Sequence, residues 1–151
     1  MTRARTPGSR FLALLFPFLL APAALAQEMV SVDRAEINMR SGAGTEHPSM
    51  WLLSRGYPLI VTARKDKWLK VKDFENDQGW VYGPLTADKP HFVVKSSTAN
   101  IRSGPGTRYK VVGKAAYGEV LRRVERRAKW AKVRTAAGLT GWVSRSLLWG
   151  W

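Results

Sequence analysis

The chain has 151 residues and no cysteine, and its 25 Lys and Arg against 11 Asp and Glu give a formal net charge of +14. No thiol chemistry and no disulfide staple is available to it. The two histidines, His47 and His91, stand far apart with no second ligand at a useful spacing, which leaves no metal centre and no cofactor expected. The excess of cations speaks to partners rather than to fold.

In chain order, residues 1–10 carry Arg3, Arg5 and Arg10 and no acid, residues 11–22 are an apolar run, and Ala24-Leu25-Ala26 has the small-x-small form that signal peptidase reads. Residues 1–26 are therefore expected to be a cleaved secretory signal. The apolar run is shorter than the roughly 20 residues of a membrane span and contains Pro17, so no transmembrane anchor is expected after cleavage. Gln27 rather than Cys follows the cut and offers no attachment point for a lipid.

The remainder repeats itself. Shifted by 62 positions without a gap, Asn38, Arg40, Ser41, Gly42, Gly44 and Thr45 fall on Asn100, Arg102, Ser103, Gly104, Gly106 and Thr107. Further on, Lys67, Trp68, Lys70 and Val71 fall on Lys129, Trp130, Lys132 and Val133, and Gly79, Trp80, Val81 and Leu85 on Gly141, Trp142, Val143 and Leu147. So regular a register means two copies of one unit, expected at 27–87 and 90–151 and joined by the short linker Ala87-Asp88-Lys89-Pro90. Within each copy, short β-rich runs are bounded by Gly, Asn and Asp. They are "YPLIVTAR", "KWLKVKD" and "GWVYG", then "GEVLRRVERR", "KWAKVR" and "LTGWVS", with "TAAG" as a hairpin turn. The pattern predicts an all-β protein of two small, strongly bent barrels.

The copies differ in charge. Residues 27–89 hold nine basic and nine acidic residues, whereas 90–151 hold thirteen basic and two acidic, a net of +11. Strand alternation sends Leu69, Val71, Val81, Ala131, Val133 and Val143 inward. It groups Trp68, Lys70 and Lys72 on the outer face with Trp80, and Trp130, Lys132 and Arg134 with Trp142. A Trp among cations suits a ligand platform or the covering of the barrel's outside. Arg40 and Arg102, just before the Gly corner, either clamp loop carbonyls or face an anion. Beyond that corner "EHPSM" becomes "RYKVV", so Arg108 and Tyr109 join the basic copy.

The series N-[MI]-R-S-G-x-G-T, KWxKV, hairpin, GWV and Leu resembles the bacterial SH3 (SH3b) family over both repeats. The resemblance implies two tandem SH3-like barrels of five to six short antiparallel strands each. It also implies a setting outside the cytoplasm, periplasmic or extracellular, at the cell wall. Against the eukaryotic SH3 pattern, Trp68 and Trp130 match the ligand Trp, but Tyr82 and Ser144 stand where the groove proline would be, which argues against recognition of a polyproline helix.

Catalysis is not expected from these residues. Neither histidine occupies a shared position. The acids of the first copy, Asp66, Asp73, Glu75 and Asp77, cluster at turns as ordinary solvated carboxylates would, whereas a glycosidase needs a pair across a sugar bond. The expectation is an exported, non-catalytic binder of peptidoglycan or its stem peptides, or of another anionic envelope polymer. Its candidate ligand residues are Trp68, Trp80, Tyr82, Trp130, Trp142, Lys132, Arg134, Arg102, Arg108 and Tyr109. A peptide-gripping adaptor for an envelope protein and a non-specific polyanion or membrane-surface binder are the alternatives; nucleic acid is no expected partner of an exported chain.

Overall fold

The computed structural model describes residues 26–151, and the expected signal lies outside the described residues apart from Ala26. The described chain is all-β, with two antiparallel sheets and two single-turn 3-10 helices. No helix among the described residues is long and apolar enough to cross a membrane.

The first repeat builds β1 (Met29–Val32), β2 (Glu36–Arg40), β3 (Ser49–Ser54), β4 (Pro58–Lys65), β5 (Trp68–Lys72), β6 (Gln78–Tyr82) and β7 (Thr86–Ala87). The second builds β8 (His91–Val94), β9 (Thr98–Arg102), β10 (Val111–Ala116), β11 (Val120–Arg126), β12 (Trp130–Arg134), β13 (Thr140–Ser144) and β14 (Leu148–Gly150). The sheet orders are the same, β3-β2-β6-β5-β4-β1-β7 and β10-β9-β13-β12-β11-β8-β14. Each sheet thus has seven strands against the five or six expected. The extra ones include β7 and β14, two and three residues long, which emerge from the 3-10 turns at Gly83–Leu85 and Arg145–Leu147 to pair with β1 and β8.

Two features shape each sheet. Bulges, which turn a strand and increase its twist, fall at matched places: between Val61 and Ala63 and between Arg123 and Glu125, and opposite the ends of β2 and β9. The β2–β3 hairpin joins the rest of its sheet through a single bridge between β2 and β6, Arg40 to Trp80, repeated as Arg102 to Trp142 between β9 and β13. Here a glycine is required. A Cβ on Gly79 would lie 2.9 Å from the Arg40 carbonyl oxygen, and one on Gly141 would lie 2.8 Å from that of Arg102, too close for any other residue.

Each sheet wraps its own core. Val32, Met39, Leu59, Leu69, Val71 and Val81 fill the first, and Val94, Ile101, Leu121, Ala131, Val133 and Val143 the second. The inward set expected from alternation is therefore the buried set. Burial of each such Val, Leu or Ile is worth roughly 1.5–3 kcal/mol.

Candidate functional site

The duplicated Gly corner forms the loops between β2 and β3 and between β9 and β10. Arg40 donates from Nη1 to the carbonyls of His47 at 2.8 Å and Thr45 at 3.4 Å, and Arg102 donates from Nη1 to those of Tyr109 at 2.9 Å and Thr107 at 3.1 Å. Both arginines are carbonyl clamps. Gly42 and Gly104 are needed because a ring lies flat against them. Added Cβ atoms would sit 2.6 Å from the His47 ring and within 2.6 Å of the Tyr109 ring. Close approach, not a left-handed backbone, is what these two positions require. Asn38 bonds the next strand rather than local backbone, its Oδ1 accepting from the Ser49 hydroxyl at 2.8 Å.

This loop is one wall of a cleft of about 480 Å3, lined by Asn38, Arg40, Thr45, Glu46, Trp68 and Tyr82, with Leu85 at one end. The opposite wall comes from β5 and β6, where Trp68 and Tyr82 are direct cross-strand partners with rings 5.4 Å apart and tilted at 52°. Both aromatics are half-buried. With Nη1 of Arg40 held by carbonyls, Glu46 brings the cleft's exposed charge.

The next row on the same face is Lys70, Trp80 and Arg40 on β5, β6 and β2, and its counterpart is Lys132, Trp142 and Arg102. The grouping of Trp with cations read from alternation is present. The exposure expected of Trp142 is not: it is only 7% exposed, because Arg127 folds over it with the guanidinium carbon 4.6 Å from the ring centre. Trp80 and Trp130 are half-buried, Lys132 is half-buried and Arg134 is exposed. Trp130 faces Ser144, so the second copy lacks the Tyr82 wall. Arg108 lies over the Tyr109 ring at 5.1 Å and donates to its hydroxyl at 3.3 Å. Arg108 stands where the first copy has Glu46, so matched loops carry opposite charge.

Two groups escaped the sequence reading. Asp73 is not a solvated turn acid. It is 5% exposed, its Oδ1 accepts from the backbone N–H of Glu75 and of Asp77 at 2.9 Å each, and its Oδ2 accepts from the Tyr57 hydroxyl at 3.3 Å. Burial pushes its carboxyl above the usual range even though those donors pull it down. The same turn carries Phe74, whose ring meets Tyr117 of the second repeat at 5.4 Å, while the Tyr117 hydroxyl donates to Glu75. The second group is β3, at one end of its sheet, where Met50, Trp51 and Leu52 are 43%, 53% and 65% exposed. The matched residues Val112, Gly113 and Lys114 are less apolar, and that contrast between copies was the available signal.

Models of the bacterial SH3 domain match residues 33–88 and 97–148. The chain belongs to the bacterial SH3 domain family, in two tandem copies. It is also similar to the "Putative N-acetylmuramoyl-L-alanine amidase YrvJ" of Bacillus subtilis (strain 168), 27% identical over an alignment of 146 residues that covers 89% of this chain and 28% of that protein. The chain thus spans under a third of the curated relative it matches. Among solved structures it resembles NlpC2 of Trichomonas vaginalis (TM-score 0.37, 9% identity, 82% of this chain and 48% of that one). It also resembles an NlpC/P60 family protein of Bacillus cereus ATCC 10987 (TM-score 0.39, 13% identity, 82% and 56%).

The amidase likeness corrects the expectation that no enzyme is involved. That expectation rested on the absence of a nucleophile or paired acids in these two repeats, and such a census cannot exclude catalysis when a related protein named as an amidase has more than three times the matched length.

Proposed function

We propose that this is an exported protein of the bacterial cell envelope, periplasmic or extracellular, whose SH3 domains at 27–87 and 90–151 bind peptidoglycan or its stem peptides. The signal at 1–26 would deliver it. The observation that carries the reading is the open cleft against Trp68 and Tyr82. It offers two aromatic faces for a sugar or peptide, an apolar contact at Leu85, and polar groups from Asn38, Thr45 and Glu46. That is the usual make-up of a ligand site, apolar with a few placed polar groups. The relative named as an amidase supports the same choice of polymer.

Of the residues chosen from sequence, Trp68 and Tyr82 are proposed as the first copy's platform, with Trp80 beside them. Trp130, Lys132, Arg134, Arg108 and Tyr109 are proposed as the second copy's ligand face, where carboxylates would be held. Arg102 acts by shaping the loop, and Trp142 by supporting the sheet.

The test is co-sedimentation of the full chain with purified peptidoglycan sacculi. The parent should sediment at moderate salt and Trp68→Ala should lose most of that binding while keeping its thermal transition. Failure of the parent to sediment at low salt would end the wall reading.

A second reading, an adaptor gripping another envelope protein, draws on the exposed Met50-Trp51-Leu52 strand, since an open apolar sheet edge can accept an added strand. Trp51→Ser separates the two, because it should leave sedimentation with sacculi unchanged if the wall is the ligand.

A further inference from the structure

We propose that the junction between the two barrels is a binding site for a multivalent anion, built from Arg55 of the first repeat and Arg122 and Arg134 of the second, with His91 at its centre. The argument begins with strand register. Arg122 on β11 lies directly opposite His91 on β8 and directly opposite Arg134 on β12, so the three side chains stand in one row on one face. Directly opposed like charges weaken a sheet, and this row places two arginines in adjacent strands. Nothing in the row neutralises them. Among the described residues Arg55, Arg122, Arg123 and Arg134 make no ion pair; the ion pairs present join Arg34 and Lys89 to Asp33, His47 to Glu46, Arg64 to Glu28 and Arg127 to Glu125.

The first repeat completes the cluster. The turn between β3 and β4 brings Arg55 to the row, and Gly56 beside it lies against the His91 ring, where a Cβ would be 2.6 Å away. Two adjoining clefts result. The smaller, about 240 Å3, is lined by Arg55, His91, Val120, Arg122, Arg134 and Thr135, with no acid. The larger, about 430 Å3, shares Arg55, His91 and Arg122 and adds Arg123, Lys89, Asp33 and Asp88. Asp33 is already held by Lys89 at 2.6 Å. Arg134 spends one N–H on Thr140, at 3.3 Å from Nε, which leaves the outer edge of its guanidinium open.

The chemistry this selects is an anion able to meet two or three guanidinium groups at once, because planar forks bind carboxylate and phosphate oxygens in pairs. The site is not the aromatic cleft, and its cations come from both barrels, so a bound anion would also tie the repeats together. His91 gives an internal reporter. Its Nδ1 sits 2.8 Å from the Lys89 carbonyl oxygen, and burial, Arg122 and Lys89 hold its pKa below the usual histidine value against that bond. An anion seated among Arg55, Arg122 and Arg134 would raise it.

The experiment titrates the full chain with citrate and, separately, with pyrophosphate at constant ionic strength, following heat of binding and the His91 ring resonances. Saturable binding of either anion, with His91 titrating at higher pH in its presence, is the expected result. The anion that binds more tightly identifies carboxylate or phosphate as the preferred group. Arg122→Gln and Arg55→Gln should each weaken binding at least fivefold with an unchanged melting transition in the absence of anion. Lys95→Gln and Lys110→Gln remove the same charge elsewhere and should change it less than twofold. Equal losses in all four variants, or binding that leaves His91 unmoved, would overturn the proposal in favour of diffuse attraction by the +11 half. Sedimentation with sacculi through the Trp68 cleft is read independently, so either result can fail alone.

Discussion

Arg127 lies across Trp142 with its guanidinium carbon 4.6 Å from the ring centre, and it is anchored there by its own ion pair to Glu125, Nε to Oε1 at 2.7 Å. The pair closes the outside of the second barrel, and only 7% of Trp142 is left exposed. Trp142 is therefore a packed, structural residue, whereas Trp68 is half-buried and lines an open cleft. Trp142→Ala should cost about 3–5 kcal/mol, the range for truncating a packed aromatic. Trp68→Ala should cost clearly less. Urea unfolding of both variants measures this, and equal losses would contradict it.

The arginine clamps make a second prediction. Arg40→Ala would leave the carbonyls of Thr45 and His47 without their donor, and Arg102→Ala would do the same to Thr107 and Tyr109. Losing hydrogen bonds from a charged donor should cost about 1.5–3 kcal/mol where the site is partly buried. Lysine should not fully rescue, because both bonds of each clamp leave a single nitrogen, Nη1, and the ammonium of a side chain one bond shorter does not reach that position. Denaturant midpoints of Arg102→Ala and Arg102→Lys test this; a fully stable lysine variant would show that charge alone suffices.

Asp73 sets a pH dependence whose sign is opposite to that of an ion-paired carboxylate. Burial holds its folded pKa above the ordinary aspartate value. Folding therefore favours the protonated form, and that contribution is complete below the unfolded value and is lost as pH rises through the folded one. At neutral pH the ionised carboxylate carries a desolvation cost. Asp73→Asn keeps an oxygen for the N–H groups of Glu75 and Asp77 and presents an amide to the Tyr57 hydroxyl. It should equal or exceed the parent in stability at pH 7.5, with the difference shrinking toward pH 4. Asp73→Ala should be destabilised at both, by about 1–3 kcal/mol for the stranded donors. Chemical unfolding at the two pH values decides, and an Asn variant equally weakened at both would refute the sign.

The sequence reveals what obeys a period and hides what depends on the third dimension. Leu69, Val71, Ala131 and Val133 could be placed inside because alternation in a strand is a local rule. The strands β5, β6, β12 and β13 were legible for the same reason. Strand β3 was not singled out, since "SMWLLS" shows no alternation and packs as an exposed end of the sheet. Alternation places Trp142 on the outer face and leaves open whether it meets a ligand or covers the barrel, because it does not give what lies on that face, and Arg127, which covers it, comes from a different turn. Asp73 looked solvated because turn acids usually are; its burial depends on Tyr57, sixteen residues earlier. The contacts of Phe74 and Glu75 with Tyr117 join the two repeats, and the cluster of Arg55, Arg122 and Arg134 draws on both; no shift of the sequence against itself can show what two copies bring together.

The matched loop positions Glu46 and Arg108 give the last prediction, which rests on the proposed wall binding. Glu46 lines the first copy's cleft beside Trp68 and Tyr82, while Arg108 lies over Tyr109 in the copy where Trp130 stands opposite Ser144. A carboxylate beside aromatic faces favours an ammonium group, since ring faces and anion attract a cation together; a guanidinium favours a carboxylate. Stem peptides carry both kinds of group, so the copies would grip different parts of one polymer. Glu46→Gln should then weaken binding to native sacculi several-fold and have little effect on sacculi whose free amines have been acetylated. Arg108→Gln should show the reverse dependence, losing its effect when the carboxylates are amidated. Both residues are exposed, so neither change should shift the melting transition by more than a degree or two. If acetylation and amidation weaken both variants and the parent alike, the two copies do not divide the ligand between them.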